Sequence, residues 1–112
     1  MDLSTFIIDF EGFKQSYNNF VFKEVAIMVL EEDSIPTVYH FKPPTQWEDL
    51  SEEDKCSSRW LERNFHGILY SSGEIAYDKL EETLKAALSN AEKIVVKSLQ
   101  KKKWLQDLLP YK

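Results

Sequence analysis

Cysteine is almost absent. Cys56 is the only one in the chain, which excludes an internal disulfide and any zinc cluster built on cysteine. It fits a reducing compartment, so an intracellular location in the cytoplasm or nucleus is expected. No run of 18 apolar residues occurs, and no membrane-spanning helix is expected. The first ten residues, MDLSTFIIDF, carry an early acid and lack a basic stretch ahead of a small-residue cleavage site, so no signal peptide is expected. Basic residues are outnumbered, 14 Lys and Arg against 19 Asp and Glu, for a net charge of −5. That balance is not the overall signature of a nucleic-acid binder. Internal repeats, low-complexity tracts and linkers are also missing.

What is present is the composition of a globular domain: 43% hydrophobic, 13% aromatic and 29% charged. At 112 residues the whole chain, 1–112, is expected to form one domain around one core. Its charge is uneven. Residues 31–54 hold eight acids (Glu31, Glu32, Asp33, Glu48, Asp49, Glu52, Glu53 and Asp54) against Lys42 alone. Residues 93–103 hold Lys93, Lys97, Lys101, Lys102 and Lys103 and no acid. Local sign matters more than the total for where a polyanion lands.

The stretch Phe6 to Phe13, FIIDFEGF, reads as a strand with Phe6, Ile8 and Phe10 on one face and Ile7, Asp9 and Glu11 on the other. Two carboxylates therefore sit one pleat apart, about 6–7 Å, on the same face. Such a pair either lies on a solvated strand end or holds a hard divalent cation such as Mg²⁺. A polar loop with a turn at Asn18-Asn19 leads to FVFKEVAIMVL, Phe20 to Leu30, a strand hairpinned to the first. The acidic EEDS tip and Pro36 precede a third strand, Thr37 to Phe41, ended by Pro43-Pro44. Ser51, with Asp54 three residues on, is a variant capping box opening a helix over 52–64. Cys56, Trp60, Leu61 and Phe65 fall on its expected core stripe. A second helix is expected over 77–90, a short strand over 93–97, and a last helix from Lys101 to Leu109, stopped by Pro110. A strand reached through a helical crossover lies parallel to the first. The fold class is therefore α/β: a mixed sheet in the order 3-2-1-4, an antiparallel three-strand meander plus one parallel strand, flanked by helices.

This order and its punctuation resemble the N-terminal two-thirds of the DEDD-type 3′–5′ exonucleases, which have the RNase H-like fold. Asp9-Phe10-Glu11 looks like their first metal motif, Phe41-Lys42-Pro43 like the lysine-proline ending their third strand, and His66-Gly67-Ile68 like the HGI after their first helix. The resemblance covers residues 5–109. It implies a site in which four acids hold two Mg²⁺ or Mn²⁺ ions that activate a water at a phosphodiester. Asp9 and Glu11 would supply the first two acids. The third belongs three residues before a bulky apolar pair, here Trp104-Leu105, which puts Lys101 in its place. A lysine there would repel cations or neutralise Asp9 and Glu11 by pairing with them. Asp107 lies too deep in the same helix to substitute. The fourth acid and the general base belong to a later helix that this chain does not reach.

The resemblance therefore implies a degenerate, non-catalytic exonuclease-like domain acting as a nucleic-acid or protein interaction module. The alternative is a metal-dependent 3′–5′ exonuclease completed by another chain or a further C-terminal segment. Lys97, Lys101, Lys102 and Lys103 are either a solvated face or an edge for single-stranded nucleic acid, with His66 beside the cleft as a further contact or simply a packing histidine. His40 is expected to face solvent. The apolar run Ile94-Val95-Val96, flanked by lysines, would form a sheet edge open to a homodimer or to a partner strand at 94–97.

Overall fold

A computed structural model describes residues 5–15, 19–31 and 33–109. Asn18 of the expected turn, Glu32 of the EEDS tip and the stop at Pro110 lie outside the described residues. Strands β1 (Thr5–Lys14), β2 (Phe20–Val29), β3 (Thr37–His40) and β4 (Lys93–Val96) alternate with helices α1 (Glu52–Asn64), α2 (Leu80–Ala87) and α3 (Leu99–Leu108) in the order β1, β2, β3, α1, α2, β4, α3. They build one sheet in the order β3-β2-β1-β4. β1 pairs antiparallel with β2 and parallel with β4, and β2 pairs antiparallel with β3. No described helix is long and apolar enough to cross a membrane.

The alternation of β1 divides the sheet's faces. Phe6, Ile8 and Phe10 are buried with Val25 and Ile27 of β2, beneath Leu80, Leu84 and Leu88 and beneath Leu105 and Leu109. Thus α2 and α3 cover this face. The opposite face carries Asp9 and Glu11 and, among the described residues, is covered at the far end of the hairpin. There Phe13, Val21 and Tyr70 form a second cluster against Leu61 of α1, Trp47 and Leu50.

Between these two regions the hairpin slips register: Glu11 pairs with Glu24, but Gly12 pairs with Phe22, leaving Lys23 as the residue passed over. The strands close tightly here. A Cβ on Gly12 would sit 1.8 Å from the Val21 carbonyl oxygen, so no larger residue fits without moving backbone.

Helix α1 begins as its sequence predicts, with Ser51 Oγ accepting the Asp54 N–H at 3.1 Å and three acids in the first turn. Its packing face differs from the expected stripe. Ser58 is its buried residue, while Cys56 is exposed and Trp60 and Phe65 are 58% and 65% exposed. The helix lies on the row through Ser58 and Leu61, where a small side chain permits close approach to the hairpin tip. The second helical stretch opens with a 3₁₀ turn at Tyr77–Lys79 and ends at Ala87, three residues before the expected end. α3 starts at Leu99, two residues early, because Ser98 Oγ caps it by accepting the Lys101 N–H at 3.0 Å.

Candidate functional site: a lysine between two strand carboxylates

β4 pairs with β1 only as far as Val96 opposite Ile8. Asp9 and Glu11 therefore continue past the end of β4, where the chain turns through Ser98 into α3. The first turn of that helix delivers Lys101. Its Nζ lies 2.7 Å from Asp9 Oδ1 and 3.1 Å from Glu11 Oε1, contacts that span 92 and 90 residues of sequence. The same ammonium sits 5.6 Å from the centre of the Phe10 ring.

One cation thus bridges both carboxylates on the face where the strand's alternation puts them. Partial burial pulls the Lys101 amine down. Its hydrogen bonds to Asp9 and Glu11, together with their charge, outweigh that and hold it above the usual lysine range. The pairing also offsets the adverse position of a lysine in the first turn of a helix.

As a metal site the arrangement is blocked by charge. Two carboxylates can hold Mg²⁺ when waters complete its shell, but an ammonium between Asp9 and Glu11 takes the position and cancels the attraction. Among the described residues no three His, Cys, Asp or Glu side chains gather where they could hold a metal. Asp107, further along α3, lines a different cleft with Phe20, Tyr77 and Trp104.

Of the residues expected at a nucleic-acid edge, Lys97, Lys102 and Lys103 are exposed, and Lys101 is engaged by the acids. His66 is held elsewhere. Its Nδ1 accepts the Ile68 N–H at 3.0 Å and its Nε2 lies 2.8 Å from the Gly12 carbonyl oxygen. An N–H can only donate and a carbonyl can only accept, so the ring is the Nε2–H tautomer with both nitrogens occupied. It stacks edge-on against Phe13 at 5.0 Å and ties the end of α1 to the register slip in β1.

His40, expected in solvent, is half-buried, with Nε2 3.1 Å from Ser72 Oγ. This pair is not an activated nucleophile. The single Ser72 hydroxyl proton goes to the Leu69 carbonyl at 2.6 Å, so the histidine donates to the serine rather than drawing its proton away.

Sequence reasoning missed Lys23. It is wholly buried, and its Nζ donates to the Phe41 carbonyl at 2.8 Å and to the Ser72 carbonyl. Burial pulls its pKa down to about 8. Comparison with protein-family models, curated proteins and solved structures finds no match.

Proposed function

We propose that this chain is a non-catalytic, exonuclease-like interaction module in which the Lys101 ammonium takes the position that a metal ion occupies in active DEDD exonucleases. The observation that carries this reading is the bridging of Asp9 and Glu11 by one amine at 2.7 and 3.1 Å. An ammonium at the midpoint of two carboxylates neutralises them as a cation would. It has no open coordination position at which to bind and acidify a water, and that is the step on which two-metal phosphodiester cleavage rests. The resemblance in strand order and in the motifs at Asp9, Phe41 and His66 supports the exonuclease-like ancestry of the site.

The test is incubation of the purified chain with end-labelled single-stranded DNA and RNA in Mg²⁺ or Mn²⁺. No shortening is expected. Shortening that Asp9→Ala abolishes would overturn the proposal and favour an active exonuclease completed by other segments. A binding readout accompanies it. Mn²⁺ should leave the melting temperature of the wild type unchanged, while Lys101→Ala, with two uncompensated carboxylates, should be stabilised by Mn²⁺ by a few degrees.

A further inference from the structure

The sheet has two outer edges, β3 and β4, and they are unlike in charge. The β4 edge carries Lys93 and Lys97, with Lys102 beside it, against one acid, Glu92, ahead of Lys93, all exposed. In the loop that leads into β3 are Glu31 and Asp33. At the other end of β3 lies Glu74, whose backbone N–H is bonded to the His40 carbonyl at 3.0 Å, and all three are exposed. Each edge also exposes apolar residues, Ile35 at 83% and Val38 at 56% on the β3 side and Val95 at 39% on the β4 side. Beside β4, on the helix-covered face, Ala91, Ile94, Val96, Leu105 and Leu109 line a cleft of about 150 Å³ that Glu92, Lys102 and Gln106 complete.

We propose that β4 of one molecule pairs with β3 of a second copy of this chain, so that copies join head to tail in a continuous sheet. β3 and β4 both run parallel to β1, the first through two antiparallel steps and the second directly. A copy placed by translation across the sheet therefore presents β3 parallel to β4, with its helices on the same side.

The faces then fix the register. Val38 is paired with Ala26, which is paired with Asp9, and Val95 is paired with Ile7, so both valines lie on the carboxylate face. Setting Val38 opposite Val95 puts Thr37 beside Ile94 and Tyr39 beside Val96. Ile35 then falls beside Glu92, at the edge of the cleft whose apolar lining is Ile94, Val96, Leu105 and Leu109. Lys93 comes opposite Pro36, in the stretch that Glu31 and Asp33 precede, and Lys97 reaches the end of the ladder, where Glu74 lies and the His40 carbonyl already accepts the Glu74 and Ile75 N–H groups. The ladder is short because Pro36 supplies no N–H at one end. At the other end the segment at Ile75 already pairs with Phe41.

The symmetric alternatives lack this match. Two β4 strands pairing antiparallel about Val95 set Lys93 directly opposite Lys97 of the other copy, and like charges in that position are destabilising. A head-to-tail contact does not close on itself in a pair, so it extends to larger species. The proposal is independent of what lies between Asp9 and Glu11.

Sedimentation velocity across a concentration series at low salt tests it, with two charge-reversed variants, K93E/K97E on one edge and E31K/E74K on the other. Wild type is expected to form species that grow with concentration and dissociate in high salt. Each variant alone should stay monomeric with an unchanged melting temperature. An equal mixture of the two should associate again, since each variant's altered edge matches the other's. If reversal unfolds either variant, the neutral K93Q/K97Q and E31Q/E74Q are expected to weaken association at least tenfold instead. A wild type that is monomeric throughout would overturn the proposal. So would association that survives reversal of either edge, or two variants that fail to associate when mixed.

Discussion

At Lys23 the fold holds an amine where an apolar side chain would ordinarily sit. The side chain leaves the hairpin at the register slip and reaches the Phe41 and Ser72 carbonyls, tying β2 to the end of β3 and to the loop before α2. A neutral amine still has two N–H donors for these two acceptors, so losing the proton costs no hydrogen bond. The consequence for stability has a definite sign. The folded pKa is lowered from 10.5 to about 8, so between those values the unfolded chain binds a proton that the folded chain does not. Stability should therefore rise with pH through that interval, by up to about 1.4 kcal/mol per pH unit. Two other groups act in the opposite direction, at higher pH. Burial raises the Tyr77 phenol, and the acids beside Lys101 raise its amine. Their contributions are lost only above the ordinary values of 10.0 and 10.5. The window from about pH 8 to 10 thus belongs to Lys23. Denaturant midpoints measured across it should climb in the wild type and stay flat in Lys23→Met.

Among the elements, the β1–β2 hairpin organises both clusters of the core and the carboxylate pair, and its weak point is Gly12. Gly12→Ala forces a Cβ into the Val21 carbonyl and disturbs the carbonyl that holds His66. A loss of at least about 2 kcal/mol is expected, read from the urea midpoint. The elements that were legible in the sequence are those with strong local signals. Alternation in FIIDFEGF gave the faces of β1, the Ser51 cap opened α1, and the helical crossover set β4 parallel to β1. The closure of Lys101 on Asp9 and Glu11 was one of the two outcomes that the exonuclease resemblance implied once Trp104-Leu105 was set against that family's apolar pair. What stayed hidden depends on distant packing. Nothing local marks Lys23 as buried, because the slip that turns it inward comes from pairing with β1. The stripe through Cys56 and Trp60 is as good a helical row as that through Ser58 and Leu61. Only the shape of the hairpin tip selects between them, and it favours the smaller side chain.

For the molecule as a whole, the parallel contact between the first strand and the fourth makes its centre the meeting point of distant parts of the chain. The bond from Lys101 to Asp9 spans 92 residues, whereas the hairpin that displays the carboxylates is local. Closing so large a loop costs entropy before any contact rewards it. On that ground the two acids should be set in place early, bare, and receive their counter-charge only when β4 and α3 dock. An interaction absent from the transition state governs escape from the native state rather than arrival in it. The lysine between the two carboxylates is on this account also their latch: Lys101→Ala should leave the refolding rate close to that of the wild type and show its whole cost as faster unfolding, in the unfolding limb of a stopped-flow chevron.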